Sequence, residues 1–412
     1  MPLSDLPREL LFDIADYLDD TELNALACTN SNVYHLLNKQ LYRQDMARPQ
    51  SKSLAWASEN GVEGTVKRAV DANRCFNPIP KSFSIALQAA AYLGHVRIVE
   101  LLLQVDGINP NYMGSSLHGY AAPLLLRINR VRSAEMADCT PLIYACMKGY
   151  VSIVRQLLAR DDVDVNAIGS GWTPLTAACE FCRVENLEII NLLLAQDGID
   201  INLGIQTKPL ITAVGRELME VVESLLARDD LDPNIVDHDG ESALGYAVFR
   251  WHSDVVRLLL NRPDIDVNRR DRFGRTALGR VAAICRAAAS YFSFEAAELL
   301  LEREDTDINL PDNRGWTPLH CACKEDNLGV VDLLLEKDNI GINAKDNDGY
   351  TPLALACRWR SSIELVHSLL SHGADPNVVD NDDYTPLDLA WRSCNRIDIM
   401  DLLLSHGADR RR

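Results

Sequence analysis

The sequence of 412 residues lacks any apolar run long enough to cross a bilayer, which takes about 20 consecutive residues. Aromatic residues make up only 6% of it, so its cores must be filled by smaller aliphatic side chains. Positive charge is also scarce, because 41 Lys and Arg face 59 Asp and Glu and leave a formal net charge of −18. Such acidity disfavours nucleic acid and membrane surfaces as partners. It also predicts that a protein partner offers a basic or neutral contact patch.

Cysteine occurs in a pattern that is typical of neither disulfides nor metal sites. The eleven cysteines are an odd number spread along the chain. Cys179 and Cys182 form a lone Cys-x-x-Cys pair with no second pair or His couple at zinc spacing, so we expect structural thiols. Motifs for phosphate-binding loops, metalloproteases and serine hydrolases are missing too, as is a signal-peptide core. These absences predict a soluble protein of the cytoplasm, the nucleus or both, which is not an enzyme and has no metal site and no cofactor.

A repeated Thr-Pro-Leu motif organises most of the chain. Complete copies begin at Thr140, Thr173, Thr317, Thr351 and Thr385, and degenerate copies fill the gaps at intervals of mostly 33 to 35 residues. The motif therefore predicts about ten repeats over residues 50–412. Their predicted starts lie near residues 52, 85, 140, 173, 208, 242, 276, 317, 351 and 385.

Each repeat has the sequence features of two short helices and a turn. Thr or Ser can cap a helix, and Pro is tolerated at the first helical position because its missing N–H would be unpaired there anyway. A run of small residues follows, then a second helix rich in Leu and Val, and finally an Asp/Asn/Gly turn such as that at residues 346–349. The repeat therefore reads as a helix-turn-helix unit followed by a hairpin loop.

This pattern resembles the ankyrin repeat. Residues 312–322 and 369–377 match that family at nearly every characteristic position. The resemblance implies an all-α ankyrin-repeat solenoid. Three departures are visible: an insertion at about residues 112–138, a longer passage between the helices around residues 286–294, and a smaller insertion near residues 182–186.

Residues 1–45 fall outside the repeat register. Pro7 can open a helix in which Leu10, Ile14 and Leu18 share one face, and two further short helices are indicated up to about residue 45. Three such helices are marginally stable alone. They either complete a binding module or form an amphipathic cap on the apolar end of the solenoid.

The spacing in this segment resembles an F-box, as in fungal proteins that combine an F-box with ankyrin repeats. The resemblance implies a three-helix module that binds the adaptor subunit of an SCF-type cullin–RING ubiquitin ligase. The residues that match the adaptor-facing apolar positions of the family are Leu6, Pro7, Leu10, Ile14, Leu18, Leu23 and Leu26.

Target binding is expected on the concave face, which in ankyrin proteins is formed by hairpin tips and first helices. Large side chains directly precede the Thr or Ser of several repeats, and aromatic side chains favour such interfaces. The predicted contacts are Trp172, Arg275, Trp316, Tyr350 and Tyr384. Trp359 and Trp391 can extend this stripe. The alternative is that these aromatics only shield the neighbouring hairpin backbone.

Together these features predict a non-catalytic substrate receptor that binds the SCF adaptor through its N-terminal module and a target protein through its ankyrin array. The other hypothesis is an ankyrin scaffold or regulator without a ubiquitin role. Apart from such a complex, we expect a monomer.

Overall fold

The computed structural model describes residues 52–73, 81–114, 138–181, 187–284, 286–359, 361–393 and 396–409. The predicted N-terminal module at 1–45 lies outside the described residues. So does most of the predicted insertion at 112–138.

The described residues form helices and no named strand, apart from two isolated β-bridges. The chain divides into two compact units, Met1–Gly204 and Ile205–Arg412. The first unit contains α1 (Lys52–Glu59), α2 (Glu63–Asn73), α3 (Lys81–Leu93), α4 (Val96–Leu103), α5 (Pro141–Lys148), α6 (Val151–Leu158), α7 (Pro174–Phe181) and α8 (Leu187–Leu194).

The second unit continues the same alternation. It contains α9 (Pro209–Gly215), α10 (Met219–Leu226), α11 (Ala243–Phe249), α12 (Ser253–Leu260), α13 (Ala277–Ala282), α14 (Arg286–Leu301), α15 (Pro318–Lys324), α16 (Leu328–Leu335), α17 (Pro352–Arg358), α18 (Ile363–Ser371), α19 (Pro386–Arg392) and α20 (Ile397–Ser405).

Within each unit, these helices pack in pairs, so that α1 with α2 is the first repeat and α19 with α20 the tenth. The first helix of a repeat packs on the first helix of the next repeat, and the second helices pack on each other in the same way. Small residues at the contacts allow this close stacking: Ala322 and Cys323 in α15 and Ala356 in α17 are fully buried. The prediction of an all-α ankyrin architecture is confirmed for the described residues.

The first helices that begin at a Thr or Ser of the motif are stabilised as the motif predicts, whereas α9, with Lys208 at its N-cap, has no side-chain cap hydrogen bond. Thr351 lies at the N-cap of α17, where its Oγ1 accepts a hydrogen bond of 3.2 Å from the Ala354 N–H, and Pro352 follows. Thr140 and Thr385 cap α5 and α19 in the same way. Such a cap contributes about 1 kcal/mol to helix stability. The repeated Thr-Pro therefore marks the places where the chain turns from hairpin to helix.

Stacking continues across the segment where the insertion was predicted. The first helices α3 and α5 pack directly on each other. The buried Gln88 Nε2 donates to the Cys139 carbonyl at 2.7 Å, and the rings of Tyr92 and Tyr144 meet edge to face with centroids 5.1 Å apart. Repeats two and three are therefore neighbours in space, although the starts of α3 and α5 lie 60 residues apart in the sequence.

The seventh repeat differs from the sequence-based expectation. A longer connection was predicted around residues 286–294, but this stretch belongs to α14, which begins at Arg286 and runs for 16 residues. The physical reason is the Ala-Ala-Ala run at residues 287–289, because alanine has the highest helix propensity of all residues. The extra residues thus lengthen the second helix.

Candidate protein-binding surface

The hairpin turns hold the residue before each first helix in a fixed backbone geometry. In the ninth repeat, Asp346 Oδ1 accepts hydrogen bonds from the N–H groups of Asp348 at 3.0 Å and Tyr350 at 2.8 Å. Asp312 does the same for Arg314 and Trp316, at 2.8 and 2.9 Å. Each turn therefore presents its last residue beside the end of the helix that follows.

In the last three repeats, that residue is an aromatic stacked with a cation eight positions later. Lys324 Nζ lies 5.9 Å from the Trp316 ring centre. The Arg358 guanidinium lies 5.0 Å from the ring of Tyr350 and donates a hydrogen bond to its hydroxyl. Equivalent contacts join Arg392 to Tyr384, at 4.5 Å to the ring centre and 2.9 Å to the hydroxyl. One arrangement thus recurs in three consecutive repeats.

Repeats six and seven add a second group of exposed rings. Phe249, at the end of α11, is 63% exposed, and Trp251 and Phe273 are about half exposed. Arg272 and Arg275 lie over Phe273, at 4.9 and 4.7 Å from its ring centre. These rings therefore remain accessible while their faces are partly covered by arginine.

Two adjoining cavities connect these groups. One, of about 560 Å³, is lined by Phe249, Trp251 and Phe273 among others. The other, of about 380 Å³, shares Phe273 and extends to Trp316 and Lys324. Lys324 Nζ also lies 5.5 Å from the ring centre of Trp359, so the surface continues into the ninth repeat.

We call this surface the cation–aromatic band; all its members lie in the unit Ile205–Arg412. Each member belongs to at least one cation–π contact on a hairpin or first helix. They are Tyr246, Phe249, Arg250, Arg272, Phe273, Arg275, Arg280, Arg314, Trp316, Lys324, Tyr350, Arg358, Trp359, Tyr384 and Arg392.

A buried charge network supports the band at the seventh repeat. Arg280 pairs with Glu241 and, at 2.9 Å, with Asp271, and Arg275 pairs with Asp271 at the same distance. Burial raises the pKa of Glu241, an effect that the charge of Arg280 only partly offsets. Burial also acts to raise the pKa of Asp271, but the Arg275 N–H and the Arg280 guanidinium outweigh it and lower that pKa. The network holds Arg275 and Arg280 in place below the exposed rings.

The five predicted target contacts do not all lie on the band. Arg275, Trp316, Tyr350 and Tyr384 belong to the band, whereas Trp172 lies in the other unit, where its ring meets Phe181 edge to face at 5.2 Å. Tyr350 is only 9% exposed, because Arg358 covers its ring. Trp316 is half-buried, and its Nε1 donates to Asp346 at 2.9 Å.

Some exposed aromatics of the band were not predicted. Phe249 and Phe273 lie at register positions where the later repeats of this chain have charged residues, such as Lys324 and Arg314 respectively, and this difference is their only sequence signal. Trp359 is 53% exposed and lies on the band. Trp391 is 61% exposed but occupies the α19 position that corresponds to the buried Cys323 of α15. It therefore belongs to the stacking face of the tenth repeat and not to the band.

The cysteines of the described residues fit the structural role expected for them. Burial raises the pKa of Cys321 and of Cys357 to about 12, so neither forms a thiolate near neutral pH. Cys179 is buried as well, and Cys182 lies outside the described residues. No group of three or more His, Cys, Asp or Glu suited to a metal ion occurs in the described part of the chain. None of the helices in the described residues is long and apolar enough to span a membrane.

Known families match almost the whole chain. The model of ankyrin repeats in three copies matches residues 113–205, 210–287, 284–380 and 342–411, and the single-repeat model matches residues 84–115. The F-box domain model matches residues 3–44. The chain is an ankyrin-repeat protein with an N-terminal F-box domain. Both families are typically non-catalytic interaction domains, which supports a protein-interaction role for this chain.

Individual proteins resemble this chain less than the family models do. No curated protein matches this F-box/ankyrin chain. The crystal structure of the ankyrin-repeat protein EF0377 is 22% identical, covers 48% of this chain and 97% of its own, and superposes with a TM-score of 0.44. The seven predicted adaptor-facing residues, Leu6 to Leu26, fall within the F-box match but outside the described residues.

Proposed function

We propose that this protein is a substrate receptor of an SCF-type cullin–RING ubiquitin ligase. The observation that carries the proposal is the F-box match at residues 3–44 in the same chain as an ankyrin array with an exposed cation–aromatic band. The F-box would bind the ligase adaptor, and the band would bind the target. Ubiquitin transfer would then depend on proximity that the receptor supplies, because holding two reactants together raises their effective concentration.

On the adaptor side, the contacts proposed are the apolar F-box positions of the sequence pattern. They comprise Leu6, Pro7, Leu10, Ile14, Leu18, Leu23 and Leu26. An apolar contact of this kind fails when a buried position receives an unpaired charge, because the charge loses its hydration without gaining a partner.

On the target side, the exposed rings of the band are better anchors than its covered ones. Phe273 and Trp359 each leave about half of their surface free, whereas Tyr350 is buried. Large rings that are exposed before binding lose the most water-accessible apolar area when a partner covers them. We therefore place Phe273, Trp316, Trp359 and Tyr384 at the centre of the target site, with Arg275 beside Phe273, and Trp172 as a separate contact in the other unit.

The adaptor interaction is tested by co-purification of the full chain with the ligase adaptor. Wild type should retain the adaptor, and the double variant Leu6→Asp/Ile14→Asp should lose it. Asn24→Asp/Asn38→Asp adds the same charge at polar positions of the segment and should bind like wild type. If wild type does not bind, or if the double variant binds as well as wild type, the chain is a scaffold or regulator and not a ligase receptor.

The target site is tested by proximity labelling, in which proteins near wild type are compared with those near Phe273→Ala/Trp359→Ala. Without these two anchors the target should no longer be labelled, since each ring contributes about 1–3 kcal/mol to binding. Phe294→Ala removes an exposed ring from the second helix α14 and serves as the control. If a target is labelled equally by wild type and by both variants, its binding site lies elsewhere on the chain.

A further inference from the structure

Lysine is scarce in this chain compared with arginine. The sequence holds nine lysines and 32 arginines, and the unit Ile205–Arg412 holds four lysines and 20 arginines. No lysine occurs in residues 209–323 or in residues 346–412. Lysine is among the commonest residues of soluble domains, so the cations of this unit are drawn very unevenly from the two available types.

A need for the guanidinium explains only part of the excess of arginine. Arg262 and Arg303 each make two hydrogen bonds to the aspartate two positions later and a third to a carbonyl of the preceding repeat, which uses the fork of donors that lysine lacks. Arg257, by contrast, makes one exposed ion pair with Glu295. Arg269 is exposed and makes no side-chain hydrogen bond or ion pair with a described residue. Lysine would serve as well at such positions, because exposed ion pairs contribute little to stability.

Lys324, one of the four lysines of this unit, is held from three sides. Its Nζ forms an ion pair with Glu325 and lies 5.9 Å from the ring centre of Trp316 and 5.5 Å from that of Trp359. The side chain of Lys324 is 27% exposed. A carboxylate and two aromatic rings all attract the charged ammonium, which is therefore occupied by its neighbours.

The other three lysines of the unit are held as well. Lys337 Nζ donates to the Leu301 carbonyl, at the end of α14, at 3.2 Å. Lys345 Nζ donates to the Val379 carbonyl at 2.8 Å. Lys208 is half-buried at the N-cap of α9. Three of the four ammonium groups are thus engaged by printed neighbours of known identity, and the fourth residue is partly covered.

Two lysines of the other unit differ from these. Lys67 lies in α2 and Lys81 begins α3, and both are exposed. Neither makes a side-chain hydrogen bond, ion pair or ring contact with a described residue. Lys148, in contrast, lies 4.6 Å from the ring centre of Tyr92. Lys67 and Lys81 therefore present free ammonium groups on the first two repeats.

This difference has a chemical consequence in a ligase receptor. A lysine amine that has lost its proton attacks the thioester carbonyl of ubiquitin on the loaded enzyme. The amide C–N bond forms, the C–S bond breaks, and the cysteine of the enzyme leaves as a thiolate that takes up a proton. A guanidinium stays protonated and cannot act as this nucleophile. Because a receptor holds its own surface near the loaded enzyme, its free lysines compete with those of the target.

We infer that the unit Ile205–Arg412 withholds its amines from ubiquitin transfer, and that, among the described lysines, Lys67 and Lys81 are the sites at which the receptor itself is modified. The inference rests on the proposed function. Arginine supplies the target-binding unit with charges and ring partners that are not ubiquitin acceptors. Ubiquitin is then directed to the target, and self-modification of the described residues is confined to the first repeats.

The test is ubiquitin transfer by the reconstituted ligase with the full chain as its receptor and no target. Mass spectrometry then locates the Gly-Gly remnants that trypsin leaves on modified lysines. Remnants should fall on Lys67 and Lys81 and be at least about 10-fold rarer on Lys324, Lys337 and Lys345, where a charged contact must first be broken. Remnants on these three lysines at the level found on Lys67 would overturn the inference.

Arg257→Lys/Arg269→Lys adds two exposed amines to the unit without a change of charge, so it should create acceptors at both positions. The matched control is Lys337→Arg/Lys345→Arg, which makes the reverse change at held positions and should leave the modified fraction of the chain as in wild type. A thermal melt checks that each variant folds. If Lys67 is modified but positions 257 and 269 are not, the unit lies out of reach of the loaded enzyme and the inference is wrong.

Two further measurements separate this inference from the proposed function. Adaptor co-purification from the same preparations tests the proposed function, and acetylation by a small amount of an N-hydroxysuccinimide ester tests the amines without any ligase. Lys67 and Lys81 should be acetylated at least about 10-fold faster than Lys324 and Lys337, and equal rates would contradict the inference whether or not the adaptor binds. If the adaptor binds and no ubiquitin reaches Lys67 or Lys81, the inference fails while the proposed function stands.

Discussion

His320 occupies the first turn of α15, and its ring is buried between its own hairpin and the next one. Nδ1 lies 3.2 Å from the Thr317 N–H, which can only donate, so Nδ1 accepts and the proton is on Nε2. Nε2–H donates to the Tyr350 carbonyl at 3.0 Å. Burial lowers the pKa of His320 below its ordinary value of 6.5, although the bond to the Tyr350 carbonyl acts in the opposite direction. The neutral ring thus joins the eighth repeat to the ninth.

This geometry predicts a loss of stability in acid. Above about pH 6.5 the ring is neutral in both folded and unfolded chains, and its contribution is complete. As the pH falls below 6.5 towards the lower folded pKa, the unfolded chain takes up the proton first, and the contribution is lost. Urea unfolding at about pH 7.5 and about pH 5.5 should show a larger fall for wild type than for His320→Ala.

At the higher pH, His320→Ala should already be less stable by about 1–3 kcal/mol, because a buried N–H and a buried carbonyl lose their partners. His406→Ala, which removes an exposed histidine after α20, is the control and should leave the unfolding free energy nearly unchanged. Equal pH dependence in wild type and His320→Ala would contradict the assigned role of the ring.

At the scale of the element, the hairpin tips of repeats seven to ten bond to each other. The Asn381 N–H donates to the Asp348 carbonyl at 3.0 Å, and the Asn347 N–H donates to the Arg314 carbonyl at the same distance. Such close contact needs a glycine in the turn. Gly349 has φ +83°, and a Cβ there would lie 2.7 Å from the Asn381 nitrogen. The turn residue therefore decides both the backbone conformation and the distance to the next tip.

Gly349 and Gly373 form a matched pair for testing this point. Gly373 has φ +92°, but a Cβ there would meet nothing within 4 Å. Gly373→Ala should cost only the backbone penalty of about 1–2 kcal/mol. Gly349→Ala adds a steric conflict with Asn381 and should cost more, at least about 2 kcal/mol, in urea unfolding. Equal costs for the two changes would mean that the tips do not constrain each other.

At the scale of the molecule, neighbouring repeats within each unit are joined by a ladder of asparagines. Asn268 Nδ2 donates to the Asp305 carbonyl at 2.7 Å, and Asn268 Oδ1 accepts from the Asp307 N–H at 2.8 Å. The same pair of bonds is made by Asn111, Asn166, Asn234, Asn309, Asn343 and Asn377. Stability in such arrays is close to a sum over repeats and their nearest-neighbour contacts.

Arginines at the ends of second helices add to this coupling. Arg303 forms two hydrogen bonds with Asp305, at 2.9 and 2.7 Å, and its Nη1 donates to the Leu260 carbonyl of the preceding repeat at 3.0 Å. Arg303→Ala should weaken the contact between repeats six and seven by about 1–2 kcal/mol, since a charged donor is lost from helix-end carbonyls. Hydrogen exchange should then show these repeats opening more independently.

Arg257→Ala is the control for this change, because Arg257 is exposed and pairs only with Glu295 on the surface. It should cost little, as exposed ion pairs contribute at most about 1 kcal/mol. If Arg303→Ala lowers the free energy of unfolding no more than Arg257→Ala does, the contact of Arg303 with the Leu260 carbonyl does not couple the repeats.

Much of the fold follows from the sequence because its determinants lie within one repeat. The N-cap at Thr351, the proline after it and the glycine turn before it are all local, so their spacing alone predicts where α17 begins. The F-box match depends in the same way on a short apolar pattern. The prediction of a longer connection at residues 286–294 was wrong because it took the extra residues for a loop, although the Ala-Ala-Ala run among them favours a helix.

The binding surface depends on neighbours that the sequence order does not reveal. Tyr350 and Trp359 are both aromatic residues of the ninth repeat, yet Tyr350 is 9% exposed and Trp359 is 53% exposed. A cation from its own helix covers Tyr350, while Lys324 of the preceding repeat reaches Trp359. The sequence by itself determined an acidic chain of ankyrin repeats with an F-box and no recognisable catalytic motif, because composition and local motif spacing suffice for these. Tertiary structure placed the exposed arginines together on one band, because burial and charge pairing depend on which side chains meet across repeats.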